Sequence, residues 1–492
     1  MEWSSQEDKE TGVQLDAEKI TPQDITEPLY PETDLDRGIV GWDSQDDPRN
    51  PQNFSAKKKW TLLLFLSAFT FISPLASSMF APAVGFMAKD FNETNETILS
   101  LSVSIFLIGY TIGPLLLAPL SEIYGRRIVL SGANWFFVVW QIGCALAQNI
   151  ETLIVCRLFA GIGGSGCITL GAGVIADMFP IKQRGAATSI WTMGPLIGPV
   201  VGPIAGGFLS EGVNWRWVFW LLLIVGGAVQ AAIEIFNKET YAPVLIKKKT
   251  AKMAKQLGRT DLQSAYEYGH DVGTPGQLLR RSLSRPILLL CKSPIVLLLA
   301  IYIALIYGLL YLFFTTIPDV FTSTYGFSVG LSGLAYLGIG LGFLGGLTLM
   351  GLTNDRVVGK LTARNGGKFE PEMRLPTMII FSAILPISFF WYGWTADKHV
   401  FWIVPIIGMF PFGFGMMGVY MPTQTYVIDC YPNSPSTRGA SNVSDSWTGM
   451  GKFAARICCS CFVPIPIIFN KYGKTIRERW YLDFDKKKSE NE

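Results

Sequence analysis

Charge is what this sequence has least of. Only 16% of its 492 residues are Asp, Glu, Lys or Arg, against ~25% in an average soluble protein. Histidine is nearly missing too: His270 and His399 are the only two, both in polar segments. A histidine proton relay within a membrane is therefore excluded. Of the eight cysteines (Cys144, Cys156, Cys167, Cys291, Cys430, Cys458, Cys459 and Cys461), only Cys458 and Cys461 have C-x-x-C spacing, and no second such pair accompanies them. They read as small apolar residues, not as disulfide partners or zinc ligands. There is no phosphate-binding Gly-rich loop, nucleophile–base pair or metal cluster, so an enzyme is not expected and neither is a metal or cofactor. The amino-terminal stretch lacks the pattern of a signal peptide.

What is abundant is apolar length. Hydrophobic residues make up 49% of the chain, and mean hydropathy is +0.33. Runs of about 20 apolar residues recur, the length that crosses a bilayer as a helix. Spans are expected at roughly 60–82, 98–119, 129–148, 152–175, 188–209, 217–236, 294–316, 331–351, 375–394 and 400–421. The fold class is an all-α polytopic membrane protein.

The charges that remain set the topology. Residues 1–59 read as an acidic, disordered cytoplasmic tail, with 14 Asp/Glu against 3 Lys/Arg up to residue 47. Lys57, Lys58 and Lys59 precede the first span, and positive residues stay inside. A long hydrophilic loop, 237–293, holds 11 Lys/Arg and 4 Asp/Glu. It divides an amino-terminal bundle, 60–236, from a carboxy-terminal bundle, 294–470, an internal repeat plan. Its run Lys247, Lys248, Lys249, Lys252 and Lys255 reads as a topology signal that can also touch anionic lipid. The outside loops hold only Lys89, Arg216 and Lys398. Asn92 and Asn95 open tandem glycosylation sequons in the first of them. The tryptophans of Asn214-Trp215-Arg216-Trp217 suit a membrane interface.

The stretch Gly194 to Gly207 organises the rest. Gly194, Gly198, Gly202 and Gly206 recur every fourth residue, with Pro195, Pro199 and Pro203 beside them. Positions four apart share a helix face, so one face is bare. In water such a helix fails, since interior proline costs ~3 kcal/mol and glycine ~1 kcal/mol. In a bilayer, neighbouring helices re-satisfy the freed carbonyls, and small residues let another backbone approach. On composition alone this is a small-residue packing face.

The segment Gly198-x-x-x-Gly202-Pro203-x-x-Gly206-Gly207 resembles the antiporter motif of the major facilitator superfamily. Other stretches agree. Ala118 to Arg127 resembles the family's cytoplasmic loop between spans 2 and 3, with Glu122 for the usual Asp and Gly125, Arg126 and Arg127 matching. The resemblance implies a charge latch that closes the inner face, which Asp177 and Arg184 would join unless they are an ordinary surface pair. Leu153-x-x-x-Arg157-x-x-x-Gly161-x-Gly163 resembles the fourth-helix motif, whose arginine the family assigns to proton coupling; Ala160 replaces its glutamine. Nearer the interface Arg157 would only snorkel. Span 7 and Met421 to Tyr426 are similar to fungal drug:proton antiporters. Tyr307, Tyr311 and Phe314 share a helical face there. They offer an aromatic wall for bulky or cationic compounds, or lipid-facing and packing aromatics.

The resemblance implies a major facilitator fold of two six-helix bundles. It implies proton-coupled efflux of small apolar or cationic compounds such as drugs, fungicides or toxins. The partners would be small-molecule substrate, protons and membrane lipid, without nucleic acid, for a monomer that passes the plasma membrane many times. Import by proton symport is the alternative within transport. The resemblance breaks after Cys430. Tyr431 to Met450 is too polar to cross, and Ala454 to Phe469 is short. The eleventh helix is thus expected to be missing or altered. A shifted reading frame or mis-spliced gene model over residues 433–461 would account for the break, with a transport-inactive product as a further alternative. The basic tail 471–492 is expected inside, the short apolar segment not fully crossing.

Overall fold

The computed structural model of the protein describes residues 30–268, 293–367 and 370–430, with a few single positions between 276 and 291. The altered stretch 433–461, the short apolar segment 454–469, the tail 471–492 and His270 lie outside the described residues.

Ten helices among the described residues are long and apolar enough to cross a membrane. The first half contains α1 (Ala56–Ser78), a short α2 (Val84–Phe91), α3 (Glu96–Tyr124), α4 (Arg126–Ala145), α5 (Ile150–Met178), α6 (Ile181–Gly212) and α7 (Trp217–Phe236). After α8 (Ala242–Leu257) come α9 (Pro294–Ser323), a short α10 (Val329–Leu334), α11 (Leu337–Arg364), α12 (Leu375–Asp397) and α13 (Ile403–Cys430).

Several helices run beyond the apolar windows, because polar residues begin and end them. Asn95 starts α3 by accepting from the Thr97 N–H at 3.0 Å, and Asn149 starts α5 by accepting from that of Thr152 at 2.9 Å. Gly125, at φ +101°, breaks α3 from α4 in a conformation closed to residues with a Cβ.

The two halves have separate cores. One gathers Leu62, Phe69, Phe106, Phe137, Leu170 and Phe219; the other gathers Tyr302, Phe313, Tyr336, Phe381, Met409 and Phe412. Helix pairing repeats between them. In the first half Gly109 and Gly161 bring α3 and α5 together backbone to backbone; in the second Gly342 and Gly413 do the same for α11 and α13. These are the second and fourth spans of each half, as an internal repeat requires.

Helix α6 belongs to both halves. Its glycine stripe lies on α1. A Cβ on Gly194 or Gly198 would stand 2.9 Å from backbone atoms of Phe71, and one on Gly202 the same distance from the Leu75 carbonyl. At Gly206 the Met79 carbonyl leaves no room at all. The opposite face meets the second half: Leu196 and Val200 join its core, and Gly207 abuts the backbone of Val329 and Gly330. Pro203 and Ile204 lie against Gly333. The stripe is therefore buttressed within its own half, and the residues between the glycines carry the contact across.

A second compact unit consists of residues up to Asp47 with Ile246–Gly269. Here the structure departs from the expectation of a disordered tail over 1–59. From Tyr30 onward the chain is ordered, and Ile39–Val40 pairs in parallel with Gln263–Ser264. Val40 is fully buried, and Trp42 donates to the Tyr266 hydroxyl at 3.3 Å. Lys249 donates to the Gly41 carbonyl at 2.7 Å and pairs with Asp43 at 2.6 Å. Lys247 pairs with Glu267. Two of the five lysines expected to mark topology or touch lipid thus hold this unit together. An average over 47 residues hid the apolar triplet Ile39, Val40 and Trp42.

Replacing Gly206 with Leu is expected to lower the thermal stability of the detergent-solubilised protein by several degrees, as overpacking costs about 1–3 kcal/mol. Gly212→Leu, on the same helix with no atom near its Cβ position, is expected to leave it unchanged. Size-exclusion thermostability of the two variants checks this.

Candidate functional site

Arg157 stands about two turns into α5, roughly 10 Å from its outer end at ~1.5 Å per residue. It is 1% exposed, so it does not snorkel to the surface. Its guanidinium lies over Phe80 at 4.7 Å, Phe106 at 5.5 Å and Phe219 at 5.9 Å. One terminal nitrogen donates to the carbonyls of Ser77 at 3.4 Å and Val103 at 3.3 Å, while Nε has no acceptor. No carboxylate pairs with it among the described residues. A cation so placed is held by ring faces and carbonyl dipoles alone, one donor unsatisfied.

The aromatic face of α9 divides. Tyr307 and Tyr311 are half-buried. Tyr307 meets Tyr420 edge-on, with ring centroids 6.0 Å apart. Phe314 is buried, 5.2 Å behind the ring of Tyr311 and 5.4 Å from Tyr336. It backs the wall and does not face outward from it. Tyr311 also reaches the first half, with its hydroxyl 3.0 Å from Ser77 Oγ.

At the inner ends, Arg126 pairs with Asp177 at 3.4 Å and donates to Ser121 Oγ at 2.7 Å. Arg127 pairs with Glu234 at 3.4 Å. Glu122 is half-buried one turn before Gly125. Arg184 turns to the end of α5, donating to the carbonyls of Ala176 at 2.9 Å and Phe179 at 3.3 Å. It caps that helix, whose last carbonyls lack intrahelical donors.

Sequence reasoning missed the residue that binds this cluster. Glu239 accepts from the backbone N–H of Arg126 at 2.9 Å and of Arg127 at 3.3 Å, placing a carboxylate on the amino end of α4. A Cβ on Gly125 would strike it. Glu239 is 113 positions from Arg126, so no local pattern announces the pair. The signal was a carboxylate in an otherwise basic loop entrance.

The outer ends hold two further clusters. Asp90 accepts from Trp215 Nε1 at 2.8 Å and pairs with Arg216 at 2.9 Å, and Arg216 donates to the Ala147 carbonyl. Trp215 is 1% exposed, which corrects the expectation of an interfacial residue; Trp217, 45% exposed, fits it. The indole's N–H has the Asp90 carboxylate as its partner, so it needs no headgroups. Glu211, on α6, accepts from the Gly330 N–H at 2.6 Å across the halves. Asn92, at φ +52°, is exposed, and the Asn95 side chain is engaged as a helix cap.

The profile of the Major Facilitator Superfamily matches residues 66–453. The chain is 44% identical over 477 residues to the MFS-type transporter penM of Penicillium rubens, covering 93% of both chains. It is 39% identical over 419 residues to the efflux pump radE of Floropilus chiversii, covering 85% of this chain and 77% of that one. Among solved structures, the partially occluded inward-open xylose transporter XylE of E. coli superposes with a TM-score of 0.61 over 85% of this chain and 98% of that one, at 16% identity. That likeness concerns the fold. A glycine-striped fifth span shared by two bundles, a buried fourth-span arginine and a pinned inner loop thus coincide with a sequence match across most of the chain: it belongs to the Major Facilitator Superfamily, whose members carry solutes across membranes and are not enzymes.

Proposed function

We propose that this transporter exports small, mostly apolar or cationic compounds, and that protons entering the cell drive the export. The observation that carries the reading is Arg157. A buried cation without a carboxylate partner is costly in a membrane, and such residues mark ion and substrate pathways. Its fixed positive charge disfavours a second cation nearby. A proton and a cationic substrate in the same cavity also repel each other, so occupancy by one disfavours the other. Tyr307 and Tyr311 supply ring faces suited to planar cations. The name of the similar efflux pump agrees in direction.

The energetics suffice. At roughly 150 mV and one pH unit, a proton supplies about 5 kcal/mol, from ~2.3 kcal/mol per charge per 100 mV and ~1.4 kcal/mol per pH unit. That sustains a gradient of about three orders of magnitude for a neutral compound. Alternation then needs an inner closure that opens and shuts. Arg126, Arg127, Asp177, Glu234 and Glu239 are the groups assigned to it, with Glu239 as its anchor. The plasma membrane, a monomeric state and glycosylation at Asn92, whose side chain is exposed, complete the reading.

In proteoliposomes with an imposed pH gradient, the wild type is expected to move the planar cationic dye rhodamine 6G uphill, opposite to the proton flow. A protonophore should abolish this, and Arg157→Ala should reduce it at least tenfold, with Arg157→Lys intermediate. Dye movement indifferent to the protonophore would overturn proton coupling, and dye moving with the protons would indicate import. Glu239→Gln is expected to destabilise the inner cluster by about 1.5–3 kcal/mol, the worth of a hydrogen bond to a charged group. A lowered melting temperature and raised labelling of a cysteine placed at Ser121 check it.

A further inference from the structure

The last turn of α1 and the residues after it, Ser77-Ser78-Met79-Phe80, touch the glycine stripe, Arg157 and the aromatic wall of α9. Ser78 Oγ and the Met79 carbonyl lie against Gly202 and Gly206 of the stripe. Phe80 covers the Arg157 guanidinium and packs on Trp215 and Phe219. Ser77, 3% exposed, does two things at once. Its carbonyl accepts from Arg157, and its hydroxyl faces that of Tyr311.

The direction of that second bond follows from the donors. Ser77 has one hydroxyl proton, and Oγ donates it to the Pro74 carbonyl at 2.7 Å. Tyr311 is therefore the donor across the 3.0 Å gap. Its proton is committed to the first half while the outer ends of the halves are together. That they are together here is shown by Glu211 on the Gly330 N–H and by Pro203 and Ile204 against Gly333. When those ends part, the Tyr311 hydroxyl must leave Ser77 and find another acceptor. At the same moment the carbonyl that seats Arg157 loses its neighbour in the second half.

We propose that Ser77 is a positioning residue through which the Tyr311 wall and Arg157 sense whether the transporter is closed on its outer side. This rests on the proposed function for the roles of Tyr311 and Arg157. The bond, Tyr311 O–H to Ser77 Oγ, stabilises the outward-closed arrangement. A substrate that offers Tyr311 a better acceptor competes with Ser77 and favours opening. Arg157 belongs to the same unit because its anchor is the same residue.

The test is conformational and needs no substrate. Val329→Cys places a thiol where the second half abuts Gly207. Its labelling by a membrane-impermeant maleimide is measured in proteoliposomes against the parent without that cysteine. Ser77→Ala and Tyr311→Phe are each expected to raise the labelling rate roughly two- to tenfold, the population shift for losing one hydrogen bond. The double variant should match the larger single effect, since both remove one bond. Arg157→Ala should raise labelling too, and combine with Ser77→Ala less than multiplicatively. Ser77→Thr, which keeps the hydroxyl, should restore the slow rate. Ser102→Ala removes another buried hydroxyl, one that donates to Leu99 of its own helix, and should change nothing. Unchanged labelling in both Ser77→Ala and Tyr311→Phe, or effects that multiply, would overturn the proposal. Labelling as expected without proton-driven dye movement would instead sink the proposed function and leave Ser77 in place.

Discussion

Two backbones in close contact hold this molecule's moving parts in place. Where α6 crosses α1, the stripe from Gly194 to Gly206 removes four side chains, and the segment from Thr70 to Met79 occupies the space. In hydrocarbon there is no hydrophobic force between helices, so close packing must do the work of association. The same absence of side chains fixes the height of α6 against α1 within a single turn. Everything that α6 presents to the second half, from Leu196 to Gly207, is consequently placed by α1. A helix that faced the second half with its glycines would have no such buttress.

This arrangement reconciles rigidity with motion. The contact within the first half is backbone on backbone and resists sliding. Among the described residues, the contact between halves includes Val200, Pro203, Ile204 and Gly207 with the start of the eighth span, and the hydrogen bonds from Gly330 to Glu211 and from Tyr311 to Ser77. Such a surface can part as one piece, as rocking of rigid bundles requires. The inner ends of the first half carry ion pairs of their own: Arg126 with Asp177 and Arg127 with Glu234. The second pair is partly exposed and the first largely buried, so only the second is cheap to break.

Much of the fold was legible because a bilayer imposes simple rules. Apolar length located the ten spans, and lysine placement located the central loop. The fourfold spacing of Gly198, Gly202 and Gly206 marked a close approach, though the spacing could not say to which neighbour. Arg157 and Arg126 were singled out by the motifs that hold them, and Asp177 by its place in the short turn after the fourth span. Ser77 and Glu239 were not found, since their meaning lies in partners 234 and 113 positions away. Phe314 looked like its neighbours Tyr307 and Tyr311 because helical spacing gives a face, not the depth of what covers it. The ordered unit around Trp42 was hidden by the acidity of the residues before it.

The central claim is that α6, held by α1, is the surface from which the second half must separate for solute to leave. A disulfide between cysteines introduced at Val200 and Gly340, where a Cβ on Gly340 would stand 3.3 Å from that of Val200, tests it most directly. Oxidation should stop the proposed proton-driven efflux in proteoliposomes, and reduction should restore it. Efflux continuing at its full rate with the cross-link formed would contradict the account.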